Sequence, residues 1–72
     1  MNLTVVYVKV EEGYIGFVEE IPGANTQGKT LEETRVNLRE AAGLVLKANR
    51  ALAEESLQGQ HAIREPFVVP AA

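Results

Sequence analysis

The run from Thr30 to about Leu57, T-L-E-E-T-R-V-N-L-R-E-A-A-G-L-V-L-K-A-N-R-A-L-A-E-E-S-L, constrains this chain more than any other stretch. Leu31, Leu38, Val45 and Leu52 recur every seven residues, and Thr34, Ala41, Ala42 and Ala48 fill in at helical spacing. The pattern predicts one long amphipathic helix with an apolar face along its whole length. Its start is marked by a capping box. The Thr30 hydroxyl is placed to accept from the Glu33 N–H, and the Glu33 carboxylate to reach back to the Thr30 N–H. Glu32 and Glu33 also complement the positive end of the helix dipole.

Something must cover that face, and the rest of the chain is short. Seventy-two residues make one domain, and a chain of this size hides only about 60% of the surface it exposes when unfolded. There is no cysteine and one histidine, so neither a disulfide framework nor a zinc cage is expected to reinforce it. No cofactor is expected. Self-association is the remaining source of stability. The N-terminus, M-N-L-T-V-V-Y-V-K-V, lacks the basic region, apolar run and cleavage site of a secretory leader. No apolar run approaches the about 18 residues of a membrane span. A cytoplasmic protein without membrane contact is the expectation.

The residues before the helix read as three strands. Leu3 to Val10 alternates, with Val6, Val8 and Val10 on one face and Leu3, Val5 and Tyr7 on the other, as in a strand covered on both sides. Glu11-Glu12-Gly13 offers a turn, and Tyr14 to Glu20 is the return strand, with Ile15 and Phe17 opposite Tyr14, Gly16 and Val18. Gly16 leaves a gap for a large neighbour. Ile21-Pro22-Gly23-Ala24 is a type II turn, in which Pro22 presets the first central position and Gly23 supplies the positive φ at the second. Asn25 to Lys29 is a short third strand, with Gly28 letting the chain swing into the helix. After a break at Gly59, Ile63 to Val69 reads as a fourth strand, placed at an edge because Pro66 lacks a donor. The expected fold is α+β, β-β-β-α-β. Its mainly antiparallel sheet has the order 3-2-1-4, given a right-handed crossover, and one face carries the helix. A helix of roughly 27 residues spans about 40 Å and a seven-residue strand about 23 Å. The C-terminal half of the helix should therefore overhang.

Chemistry is thinly represented. His61 sits in a polar Q-G-Q-H loop with no aspartate in the chain to orient it, which argues against base catalysis. The glutamate pairs Glu11-Glu12, Glu19-Glu20, Glu32-Glu33 and Glu54-Glu55 each sit at the end of an element, whereas a metal site needs carboxylates that converge. No catalytic or metal-binding residue is expected. Interaction residues are more promising. Leu44 lies off the apolar stripe beside Ala48 and Ala51, and Asn49 lies within it, either in solvent beyond the sheet or bonded across a subunit contact. Phe67 and Val68 extend an apolar segment able to pair or exchange with a second copy. A homodimer or higher even oligomer is expected. The net charge of −3 disfavours phosphate-backbone binding and suits a basic protein partner.

One stretch carries a resemblance. Gly13-Tyr14-Ile15-Gly16-Phe17-Val18-Glu19-Glu20-Ile21-Pro22-Gly23-Ala24-Asn25-Thr26-Gln27-Gly28-Lys29-Thr30-Leu31-Glu32-Glu33 resembles the HicB-like antitoxin family. The typical pattern there is G-Y-x-A-x-x-P-D-L-P-G-C-x-T-x-G-x-T-x-E-E-A followed by a long helix. I-P-G, T-Q-G and T-L-E-E align without gaps. Departures are Glu19-Glu20 for Pro-Asp, Ala24 for Cys and Thr34 for Ala. The resemblance implies a partial RNase-H-like fold without a working nuclease site, and a module that neutralises a small RNA-cleaving, HicA-like toxin by covering its active site. The acidic Glu19 and Glu20 are the residues expected to face such a partner. Many members append a DNA-binding segment; none is recognisable through Ala72, so no direct DNA binding is expected. A divergent RNase-H-like nuclease and a solitary oligomeric scaffold or small-ligand binder are the alternatives.

Overall fold

The computed structural model describes residues 2–70. Three strands precede one helix: β1 (Val5–Val10), β2 (Gly13–Val18), β3 (Asn25–Gly28) and α1 (Leu31–Ser56). The strands form one antiparallel sheet in the order β1-β2-β3. In its register Tyr7 lies opposite Gly16, and Gly16 opposite Thr26.

The helix covers the Tyr7 face. A Cβ on Gly16 would lie 3.0 Å from the Tyr7 ring and 3.1 Å from Thr34 Cγ2, so the gap left by glycine is filled from both sides. Thr34 is completely buried, and its hydroxyl donates to the Thr30 carbonyl at 2.7 Å. That bond satisfies a polar group which would otherwise be costly to bury. Below it, Val18, Ile21, Ala24 and Leu38 form the core, joined by Tyr7, Ala42 and Val45. Asn37 fixes the other flank of the helix, its amide donating to the Gln27 carbonyl at 3.0 Å.

The turns follow their sequence chemistry. Ala24 N–H donates to the Ile21 carbonyl at 3.1 Å, and Gly23 has φ +87°, as a type II turn requires. Gly28 admits no side chain, since a Cβ there would lie 2.6 Å from Thr34 Oγ1 and 2.9 Å from its backbone N. Half of the capping box forms as expected, with Glu33 N–H donating to Thr30 Oγ1 at 3.0 Å. The reciprocal bond differs. Glu33 Oε2 accepts from Lys29 N–H at 3.2 Å, one residue before the expected donor.

The expected fourth strand is absent among the described residues, so the β-β-β-α-β pattern with order 3-2-1-4 is corrected to β-β-β-α with order 1-2-3. Residues 61–70 take no regular structure and are exposed. The helix overshoots the sheet, so the segment after it starts away from the edge of β1. Val45 is the last helical residue packed against the core, and residues 46–56 run on for about 16 Å beyond it. A turn closed by Gln60 N–H to the Leu57 carbonyl, with Gly59 at φ +75°, then uses up the next residues. Arg64 is still beside the overhang, paired with Glu54 at 2.9 Å.

Candidate interaction surfaces

Antiparallel pairing sorts the sheet's apolar residues into a covered and an uncovered set. Opposite the helix, Val6 faces Phe17 and Val8 faces Ile15 across strands, with Val10 beyond them. Val8, Val10, Ile15 and Phe17 are between 37% and 42% exposed, and no described residue covers this face. Cross-strand apolar pairs of this kind stabilise a sheet, and here they also present a continuous apolar surface to solvent.

The edge of the sheet beside β1 is open as well. Glu19 N–H donates to the Thr4 carbonyl at 2.9 Å, and hydrogen-bonded pairs alternate along an antiparallel ladder. Val6, Val8 and Val10 therefore exchange bonds with β2. The backbone N–H and C=O groups of Val5, Tyr7 and Lys9 point outward, and no strand among the described residues meets them. The strand V-V-Y-V-K-V has one charge, no proline and no bulge, the devices that normally blunt an edge. Arg35 stacks over Tyr7 at 5.8 Å and Lys9 over Tyr14 at 4.9 Å, so both cations lie on the helix side of the sheet.

Beyond Val45 the helix is uncovered, with Leu52 63% exposed and Asn49 exposed past the end of the sheet. Leu44, beside Val45 but on the flank away from the sheet, is 67% exposed. At 3.6 residues per turn, Leu44 and Asn49 lie about 140° apart, on different flanks rather than in one patch. Leu44 shares its flank with Ala48 and Ala51. Phe67 and Val68, at 84% and 82% exposure, lie in the segment after the helix with Ile63.

The acidic end of the hairpin is ordered. Thr4 N–H donates to Glu20 Oε1 at 2.7 Å, and that backbone bond holds the Glu20 carboxyl below its ordinary range. Glu19 stands beside it, exposed. Neither the Thr4–Glu20 bond nor the Arg35–Tyr7 stack was legible in the sequence, because each joins distant residues without a local pattern.

The titratable side chains are scattered among the described residues. No three of the histidine and acidic side chains come together to hold a metal ion, and His61 is exposed outside any regular element. A shallow cleft of about 530 Å³ lies at the start of the helix between Tyr14, Lys29 and Glu33. Of the two glutamates that line it, Glu12 and Glu33, Glu33 is engaged by the Lys29 N–H at the helix start.

No family model matches the chain, and no solved structure gives a significant match. Three proteins of known sequence do. A UPF0150 protein of Thermotoga maritima is 44% identical over 41 residues, 57% of this chain and 55% of that protein. A UPF0150 protein of Thermoplasma acidophilum is 45% identical over 42 residues, 57% of this chain and 61% of its own length. In both cases the match spans little more than half of the relative. The similarity to a UPF0150 protein of Synechocystis is longer, 35% identity over 75 aligned positions that cover 96% of each chain. An alignment of that extent includes the strands, the turn and the entire helix, and it places the chain in the UPF0150 family.

Proposed function

We propose that this chain is a protein-binding module of the HicB-like antitoxin type, a partial RNase-H-like fold that acts as an even oligomer in the cytoplasm. It covers the active site of a small basic RNA-cleaving toxin. The observation that carries the reading is the extent of uncovered apolar surface among the described residues. The chain exposes 6202 Å², whereas a compact chain of 7.8 kDa exposes about 4400 Å². The surplus of roughly 1800 Å² on one chain exceeds the about 800 Å² that each partner contributes to a stable protein interface. Its radius of gyration of 15.6 Å likewise exceeds the about 11 Å of a compact domain of this length. The G-Y…I-P-G…T-Q-G…T-L-E-E resemblance supplies the family, and Glu19 and Glu20 supply an acidic rim for a basic partner.

The divergent-nuclease alternative has less support. β1 carries Val6 and Val8 where a nuclease of this type needs an acid, and Glu19 and Glu20 lie past the end of β2. The test is binding to a basic HicA-type ribonuclease encoded beside this chain. A complex that suppresses RNA cleavage, with an association rate that falls as salt rises and falls further in a Glu19→Lys, Glu20→Lys double variant, is expected. Undiminished RNA cleavage with the protein in excess over the toxin would overturn the reading.

A further inference from the structure

Two features of this chain are each incomplete and fit one another. One is the open edge of β1, whose Val5, Tyr7 and Lys9 backbone groups meet no partner strand among the described residues. The other is the segment after the helix, which reads I-R-E-P-F-V-V-P and holds Ile63, Phe67 and Val68 more than 80% exposed. We propose that residues 63–69 of one copy form the fourth strand of a second copy, adding to the outer edge of its β1. The inference rests on the self-association in the proposed function and specifies how it is achieved.

The course of the segment decides between the chain's own edge and another copy's. The Arg64 guanidinium meets the exposed Glu54 carboxylate at 2.9 Å, so the segment runs beside the overhang, and Glu54 lies nine residues beyond Val45 on the helix, about 13 Å past the end of the core. The five residues from Arg64 to Val69 span about 16 Å when fully extended, so on this course most of them lie beside the overhang and few meet the chain's own β1. The overhanging helix instead carries the segment away from its own sheet. Exchange of an identical element around a two-fold axis is a low-cost route to a dimer, and it draws on the surplus surface of both copies.

The prolines give the added strand a direction. Pro66 and Pro70 are four residues apart, so in an extended strand both imino nitrogens point the same way. If they face outward, Glu65, Phe67 and Val69 present their N–H and C=O groups to β1 with no donor missing. The far side of the new strand then lacks two donors and cannot template a third chain. The assembly closes at two copies and does not grow.

The test uses the full chain. Light scattering gives the mass, and amide hydrogen exchange by NMR reads Val5, Tyr7 and Lys9. A dimer is expected, twice 7.8 kDa, with those three amides protected in proportion to the dimer population on dilution. Val69→Pro removes an inward donor and should speed their exchange by roughly tenfold or more, the loss of about one strand hydrogen bond and its neighbours. Val68→Pro, on the outward parity with Pro66 and Pro70, should leave it unchanged. A dimer whose three amides exchange freely, or in which the two proline variants behave alike, would overturn the exchange and leave self-association standing. Protection that persists in a monomer would assign the strand to the chain's own segment and overturn the proposal. A monomer without protection would remove both readings.

Discussion

The two halves of α1 carry the same sequence pattern and live in different surroundings. Leu38 and Leu52 occupy equivalent positions two heptads apart, yet Leu38 is 3% exposed and Leu52 is 63% exposed. In the first half Thr34, Leu38, Ala42 and Val45 pack under the sheet, while every side chain from Leu46 to Ser56 is exposed. Periodicity therefore identifies which face of a helix is apolar without identifying what lies on it. A helix with this much uncovered apolar surface draws little stability from its own chain, because tertiary packing supplies most of it.

The largest contrast should come from shortening each leucine. Leu38→Ala removes core volume and is expected to cost about 2–5 kcal/mol at every protein concentration. Leu52→Ala should be felt chiefly through assembly, lowering the melting temperature more at low concentration than at high, as linked dimerisation requires. Urea and thermal melts at two concentrations a hundredfold apart, roughly, make the comparison. A Leu52→Ala effect within about 0.5 kcal/mol at both would mark the second half as an ordinary solvated helix.

Gly43, near the boundary between the halves, sharpens the comparison. A Cβ there would meet nothing within 4 Å, so Gly43→Ala should stabilise the chain by up to about 1 kcal/mol through helix propensity. Calorimetry checks the sign. If the variant instead lowers the oligomer mass, another backbone passes close to Gly43 in the assembly.

How much of this was readable beforehand differs between the halves for physical reasons. The three strands, the Pro22–Gly23 turn, the Thr30 cap and the helix were legible because each is set by local chemistry: alternation, a positive φ, a side chain reaching three residues along. The filling of the Gly16 gap was legible as a gap, while the choice of Tyr7 and Thr34 to fill it depended on the register. The fourth strand failed because its β-branched and aromatic composition describes what Ile63 to Val69 prefer and says nothing of where the overhang delivers them. Among the candidate contact residues, Glu19 and Glu20 do stand together at one end of the hairpin. Leu44 and Asn49 fall on different flanks, a separation that counting along the helix already contains.

The smallest expected effect concerns pH and belongs to the sheet end of the comparison. The Thr4 N–H holds Glu20 below its ordinary value of 4.5, so its contribution is fully present above that value and is lost as pH falls through the folded one. Wild type and Glu20→Gln should differ in stability at neutral pH and converge on acidification below about pH 4.5. Melts across that window test it. A difference that does not shrink would assign the effect to packing of the side chain rather than to its charge.

The order in which the elements touch has a consequence for how the molecule is made. β1 packs on β2, β2 on β3, and α1 on β3 and β2, so the contacts that define the sheet join neighbours along the chain and the covered half of the helix adds only one element of separation. Topologies of this kind fold quickly, because little loop entropy is lost before contacts form. A segment delivered from a second copy joins by collision, at a rate proportional to concentration. Refolding from denaturant should accordingly separate into a fast phase independent of protein concentration and a slower one that accelerates with it.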